Sequence, residues 1–230
     1  MKLQDAIVLI TGANRGIGLA FAEAALTRGA RKIYAGARSP SSITTSGLVS
    51  VKLDVTSDQD VAIAAQICGD VTLVVNNAGI ARPGGLLNPE ANEAACSQFD
   101  TNVLGILRMT QAFAPVLAKN GGGAFLNVLS AASWINSGAM TAYAVSKAAA
   151  WSLTNGLRNE LRQQGTQVLG LHVGFVDTDL ASGLDVVKVS PQSVASAAFD
   201  ALEAGASEVL ADERARTVKC GLTSEPPIYL

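Results

Sequence analysis

The sequence predicts a doubly wound α/β fold, a three-layer sandwich around a mostly parallel sheet of about seven strands. Three observations carry this. Short apolar, β-branched runs alternate with helical patterns along the chain. The first such run, Ala6-Ile-Val-Leu-Ile10, is apolar at every position, as a strand covered on both faces must be. It leads through a glycine-rich turn, Thr11-Gly-Ala-Asn-Arg-Gly-Ile-Gly18, directly into a helical stretch over 19–28.

The remaining elements follow in order. Residues 32–36 form a second strand. The Pro/Ser/Thr-rich stretch 39–47 is a poor helix former, so the link to a third strand at 48–53 is a clipped connection with little or no helix. A short helix spans 58–68, and a fourth strand, 71–75, runs into Asn76-Asn77-Ala78-Gly79. A helix covers 88–96, the stretch 98–117 contains another that includes Asn102, and Gly121-Gly-Gly123 turns the chain into a fifth strand, 124–129, ended by Ser130. The run Ala148-Ala-Ala150 supports a long helix over 142–163, since Ala is the best helix former. A sixth strand lies at 167–173. Residues 180–190 show no clean period and read as a mobile lid (about 178–191). A helix starts at Pro191, and a last strand covers 208–211; the remainder reads as tail. No repeat or linker interrupts 1–230, so one domain is expected.

Composition narrows the function. Of 230 residues, 49% are apolar and 16% charged, with a net charge of −2, enough for a large core and against disorder. No basic cluster points to nucleic acid or to a membrane surface. Cys68, Cys96 and Cys220 are scattered without metal-ligand spacing, so no metal is expected and a reducing, cytoplasmic setting is. The first apolar run is too short for a signal sequence, and no run of about 20 apolar residues could span a membrane.

The chemistry gathers at Tyr143 and Lys147. Residues four apart share a helix face, so a phenol and an ammonium are held together. At about 4 Å and an effective dielectric near 20, the cation favours the phenolate by roughly 4 kcal/mol. That would lower the phenol from its usual pKa of about 10 by up to about three pKa units, into the range useful for acid–base work. The glycine-rich turn suits a pyrophosphate at a helix N-terminus. A site for NAD usually carries an acid about 20 residues further on; here the second strand ends Gly36-Ala37-Arg38-Ser39. Arg38, with Arg15 inside the turn, suits a ribose 2′-phosphate, so NADP(H) is expected over NAD(H). Asp54 and Val55 follow the third strand at the edge where ligands gather, and Asn77, Ala78 and Gly79 are small enough to admit a flat ring. Asn102, locally unfavourable inside a helix, should cap, turn or bind something. His172 reads as a packed strand residue. Trp134, Ile135, Met140, Phe175, Leu180 and Leu184 are candidates for an apolar pocket wall, with no Arg or Lys clustered to grip a carboxylate or phosphate.

These residues together resemble the short-chain dehydrogenases/reductases, over nearly the whole chain. The resemblance rests on Thr11-Gly12-x-x-x-Gly16-x-Gly18, Asp54, Asn77-Ala78-Gly79, Asn102, Ser130 and Tyr143-x-x-x-Lys147, in order and at family-like spacing. It implies a Rossmann-type, NADP-dependent carbonyl reductase. Tyr143 would then be the general acid in reduction, and Ser130 would steady the developing alkoxide. Lys147 would tune the phenol and bind the nicotinamide ribose, and Asn102 would hold a water linking Lys147 to solvent. Thr11, Asn14, Arg15 and Ile17 would contact phosphate and ribose, with Arg38 on the 2′-phosphate. Asp54 and Val55 would flank the adenine, Asn77, Ala78 and Gly79 would lie along the cofactor, and Gly174, Val176 and Thr178 would meet the nicotinamide. The family's Pro-Gly after the sixth strand is here Val173-Gly174, which should loosen the backbone at that point. The apolar candidate wall favours a neutral, hydrophobic ketone or aldehyde as substrate, bound by Ser130, Tyr143, Trp134, Met140, Phe175, Leu180 and Leu184. A 3-oxoacyl thioester, or a catalytically silent NADP-binding regulator, are the alternatives. Acyl hydrolysis is set aside, because Ser130 lies in Leu-Ser-Ala-Ala rather than in a nucleophile elbow. Family habit also implies a homodimer or homotetramer, with Leu104, Ile106, Leu107, Phe113, Trp151 and Leu157 serving core or interface.

Overall fold

The computed structural model describes all residues, Met1 to Leu230. Its strands are β1 (Ile7–Thr11), β2 (Lys32–Ala37), β3 (Val49–Lys52), β4 (Leu73–Asn76), β5 (Gly123–Val128), β6 (Thr166–His172) and β7 (Glu208–Leu210). Its helices are α1 (Gly16–Thr27), α2 (Asp58–Ile67), α3 (Ala91–Phe99), α4 (Gly105–Lys119), α5 (Thr141–Glu160), α6 (Pro191–Glu203) and α7 (Glu213–Gly221). The strands form one parallel sheet in the order β3-β2-β1-β4-β5-β6-β7. The order reverses between β1 and β4, and such a switch point opens a crevice beyond the carboxyl ends of the strands. The register sets Thr11 opposite Gly36 and Ile10 opposite Val75, which brings the glycine turn to that edge.

β1 is apolar throughout because both its faces are covered. Val8 and Ile10 join the core with Phe21 of α1 and Phe199 of α6, whose rings meet edge to face at 5.2 Å. Ile7 and Leu9 join the opposite core with Met109 and Phe113 of α4. Each such fully buried side chain contributes about 1.5–3 kcal/mol, so the sheet is a rigid base for the groups at its edge.

The structure keeps to the sequence reading in one doubtful place and departs from it in two. Between β2 and β3 there is only a turn of 3₁₀ helix, Pro40–Ser42, as the clipped link required. Within 98–117, where a helix including Asn102 is expected, Asn102 lies instead on a π-helical segment, Asp100–Leu104, before α4 begins. The presumed tail contains α7. Asp212 caps it by accepting the Ala215 N–H at 2.8 Å, and Ala215 and Val218 are buried against Ala131. Two small apolar residues in a charged stretch were too faint a period to read. Ile106, Phe113 and Leu157 are core; Leu104, Leu107 and Trp151 remain half-buried. No helix is long and apolar enough to cross a membrane, and no group of three His, Cys, Asp or Glu side chains is placed to hold a metal.

Candidate active site

A cleft of about 720 Å³ runs along the carboxyl edge of the sheet, within the range of ligand sites. Its wall includes Gly12, Asn14, Arg15, Gly16 and Ile17 from the glycine turn, with Arg38, Asp54 and Val55 beside them. Asn77, Ala78 and Gly79 lie between these and Ser130, Tyr143 and Lys147, and Gly174, Val176 and Thr178 line the cleft from the loop after β6. Thus nearly every position expected from the sequence meets at one edge.

Four positions, Thr11, Gly18, Asn102 and Trp134, do not line the cleft. Thr11 is buried beneath the turn: its Oγ1 accepts the Asn77 and Ala78 N–H groups at 3.0 and 2.9 Å. Asn77 Nδ2 in turn donates to the carbonyls of Thr11 and Gly12 at 2.9 and 3.2 Å. Thr11 therefore welds the glycine turn to the loop after β4 and makes no contact with the cleft. Gly18 lies inside the same joint, where an added Cβ would stand 2.1 Å from the Gly12 carbonyl oxygen. Asn102 is buried on the π-helical segment, a form that recurs at functional sites. Its Oδ1 accepts the Ile80 N–H at 2.9 Å, and its Nδ2 donates to the Ile80 carbonyl and to Ser146 Oγ, both at 2.9 Å. It braces the loop after β4 against α5.

Trp134 corrects the expected pocket wall. The 3₁₀ turn Ala131–Ser133 carries the chain back over the sheet, and Trp134 stacks on His172 at 3.9 Å and meets the Trp151 edge at 6.0 Å. It is part of the support under Ser130. Ile135, Met140, Phe175, Leu180 and Leu184 do line the cleft. The lid stretch is stitched at its base, where Asp177 N–H donates to the Val189 carbonyl and Val189 N–H to the Phe175 carbonyl, each at 2.9 Å.

Ser130 lies two residues beyond β5, at the start of the 3₁₀ turn, and Tyr143 and Lys147 occupy the first two turns of α5. A buried polar ladder fixes α5 on the sheet: Asn76 Nδ2 donates to Asn127 Oδ1 at 2.8 Å, and Asn127 Nδ2 to Thr154 Oγ1 at 3.0 Å. Asn127 in an apolar strand was the visible sign of this ladder. Ser130 Oγ accepts the Ala132 N–H at 3.1 Å, which leaves its own proton to give. Lys147 Nζ donates to the Val128 carbonyl at 2.8 Å and lies 5.8 Å from the centre of the Tyr143 ring. Burial pulls the Lys147 ammonium down to about 8. Burial also raises the Tyr143 phenol above its ordinary value, and hydrogen bonding with Ser130 only partly offsets this. The expected lowering of the phenol by Lys147 is therefore not met by the polypeptide itself.

At the other end, burial works to raise the Asp54 carboxyl, but hydrogen bonds from Thr56 and the charges of Arg38 and Lys52 hold it below its usual range. Arg15 is ion-paired with Asp179 across the mouth of the cleft, and Arg38 has no carboxylate partner within 4 Å. Val173 does not loosen its segment: Ala131 N–H donates to its carbonyl at 2.9 Å, and Gly174 N–H donates to Asp212 Oδ2 at 2.6 Å. Arg214 of α7 also lines the cleft, so the wall carries a cation that the sequence reading lacked. Neither Asp212 nor Arg214 announced itself in the sequence, because both belong to the helix read as tail.

A parallel sheet with a glycine turn at its switch point, and a Ser, Tyr and Lys facing it, defines an oxidoreductase of the dinucleotide-binding class. Comparison with known proteins agrees. Residues 6–186 match the family model for short chain dehydrogenase. An uncharacterized oxidoreductase of Staphylococcus aureus (strain MW2) is 30% identical over 213 residues, covering 87% of this chain and 92% of its own. A short chain dehydrogenase from Burkholderia cenocepacia, solved in complex with NADP, is 36% identical with a TM-score of 0.94, covering 98% of this chain and 96% of its own. A 3-ketoacyl-(acyl-carrier-protein) reductase from Brucella melitensis complexed with NADH is 25% identical with a TM-score of 0.82, covering 91% and 97%. The chain belongs to the short-chain dehydrogenase family of oxidoreductases, which use a nicotinamide cofactor.

Proposed function

We propose that this protein reduces a hydrophobic ketone or aldehyde to the alcohol with NADPH. The observation that carries the reading is the convergence of Ser130, Tyr143 and Lys147 on one side of a cleft whose wall continues as Ile135, Met140, Phe175 and Leu184. The residues fit the cofactor. The tight joint at Gly18 lets backbone approach a pyrophosphate, and unpaired Arg38 beside Asp54 would hold a 2′-phosphate. Asn14, Arg15 and Ile17 would meet the phosphates, and Gly174, Val176 and Thr178 would meet the nicotinamide. The NADP reported for the Burkholderia cenocepacia structure supports the preference.

When bound, the reduced nicotinamide supplies a hydride to the carbonyl carbon. Tyr143 gives its phenolic proton to the carbonyl oxygen, and the alcohol leaves. Ser130 donates to the same oxygen as negative charge grows on it, the role of a preorganised oxyanion donor. Lys147, charged at neutral pH, lies behind the phenol and stabilises the phenolate left after proton transfer. Asn102 acts by keeping the Gly79–Ile80 backbone and α5 in place around Lys147. The half-buried Leu104, Leu107 and Trp151 offer a surface for self-association into a dimer or tetramer. The three free thiols suit a cytoplasmic setting.

The test is NADPH consumption over a panel of ketones and aldehydes, with Tyr143→Phe as the paired control. Loss of the phenolic proton should cut turnover by about 10²–10⁴ while NADPH binding, followed by fluorescence, is kept. Substantial turnover in that variant would remove Tyr143 from the chemistry.

A further inference from the structure

We propose that Arg214 makes the substrate end of this cleft a carboxylate-reading site, so that the preferred carbonyl compound carries a carboxylate beyond an apolar body. The inference deepens the proposed reaction and rests on it for the carbonyl, but not for the anion.

Three observations carry it. Arg214 lines the same cleft as Ser130, Tyr143 and Phe175. Its stem is seated on Gly174: a Cβ built on that glycine would stand 2.7 and 2.8 Å from Arg214 Cβ and Cγ. Only a residue without a side chain allows this approach, so the base of the Arg214 side chain is fixed beside the loop after β6, from which its exposed guanidinium can reach the cleft. Third, Arg214 has no partner, although carboxylates are near it in sequence. Asp212 uses its two oxygens on the Gly174 and Ala215 N–H groups. Glu213 pairs with Arg216, and Glu208 with Lys219. The other cations of α7 are thus neutralised, and Arg214 forms neither an ion pair nor a hydrogen bond.

The rest of the cleft gives the ligand its form. The other acids on its wall are committed, Asp179 to Arg15 and Asp54 to Thr56. Ile135, Met140, Phe175 and Leu184 supply an apolar wall. A single guanidinium offers one planar fork, which matches one carboxylate. A phosphate would call for a second free cation, and the other two on this helix, Arg216 and Lys219, are paired with Glu213 and Glu208.

The test compares para-formylbenzoate with its methyl ester as substrates for the wild-type protein, Arg214→Gln and Arg214→Lys, with NADPH. A charge-assisted pair at this site should give wild type about a tenfold higher kcat/KM on the acid. Arg214→Gln should bring the acid-to-ester ratio close to one, and Arg214→Lys should keep part of the preference. An unchanged ratio in Arg214→Gln, or a wild-type preference for the ester, overturns the proposal. So does an effect confined to the KM for NADPH, which would assign the guanidinium to the cofactor. If neither aldehyde is reduced, the carbonyl reading fails separately. Calorimetry with NADP⁺ present then decides the anion site: para-toluate should bind wild type more tightly than para-toluamide and lose about tenfold in Arg214→Gln. Equal binding to both proteins overturns it.

Discussion

Asp212 is the residue whose removal tests the structure most sharply. It is buried, 4% exposed, and its carboxylate accepts Gly174 N–H at 2.6 Å and Ala215 N–H at 2.8 Å. Each hydrogen bond to a charged group is worth about 1.5–3 kcal/mol, and an orphaned buried donor costs a similar amount. Asp212→Ala should therefore lose about 3–5 kcal/mol, a large share of the roughly 5–15 kcal/mol that holds a domain together. Asp212→Ser separates the two bonds. Serine is a good N-cap and keeps the Ala215 contact, but its shorter side chain releases Gly174 and should cost about 2 kcal/mol. Because Gly174 lies in the loop proposed to meet the nicotinamide, Asp212→Ser should raise the KM for NADPH several-fold. Its kcat at saturation and its pH profile should stay close to wild type, since no proton-transfer group is touched. Urea unfolding and initial rates measure both effects. A loss below about 1 kcal/mol in Asp212→Ala, no more than an ordinary surface change gives, would refute the idea that this carboxylate replaces the stiffness of the missing proline.

Two further outcomes follow from the charges. Arg38→Gln should raise the KM for NADPH by about tenfold or more while leaving that for NADH nearly unchanged; equal effects on both would place the 2′-phosphate elsewhere. Burial holds His172 at about 4, against an ordinary 6.5. Glu208 Oε1, 3.4 Å from Nε2, favours the charged ring, but that carboxylate is already held by Lys219, and the contact leaves Nε2 without a well-formed hydrogen bond. Between those two pKa values the unfolded chain holds the extra proton, so stability is complete above about pH 6.5 and falls as the pH drops towards 4, by about 3 kcal/mol. Chemical denaturation of His172→Gln should show that slope reduced.

What could be read in the sequence was whatever depends on local period or fixed spacing. β1, the glycine turn and α1 were plain because every residue of Ile7–Thr11 is buried and the turn has no tolerance for side chains at Gly18. Tyr143 and Lys147 were plain because a helix converts a spacing of four into a shared face. The direction of a loop side chain is not local. Trp134 was read as pocket wall, yet a 3₁₀ turn aims it at His172, a stacking partner at 3.9 Å that lies on β6 and that no neighbouring residue encodes. Thr11 misled in the same way: its hydroxyl sits at a ligand-binding edge but is consumed by two backbone donors from β4's exit. α7 was missed because its stability comes from Asp212 and from burial of Ala215 and Val218 against Ala131, partners far away in sequence.

The same distinction bears on the direction of catalysis. Spacing alone suggested that Lys147 acidifies Tyr143, on the assumption that the two groups meet in a partly screened medium. In the folded chain the ammonium is directed to the Val128 carbonyl, and it stands 5.8 Å from the ring centre. Desolvation then dominates both groups, raising the phenol and lowering the ammonium to about 8. A phenol held above its ordinary value is fully protonated at neutral pH. That is a weak base and a loaded acid, the state needed to deliver a proton to a carbonyl oxygen. As the pH climbs through about 8, Lys147 loses its charge, and with it the support for the phenolate that proton delivery leaves behind. The reductive rate should accordingly decline above about pH 8, well before the phenol itself titrates, and Ser130, whose hydroxyl does not ionise in this range, sets no limit of its own.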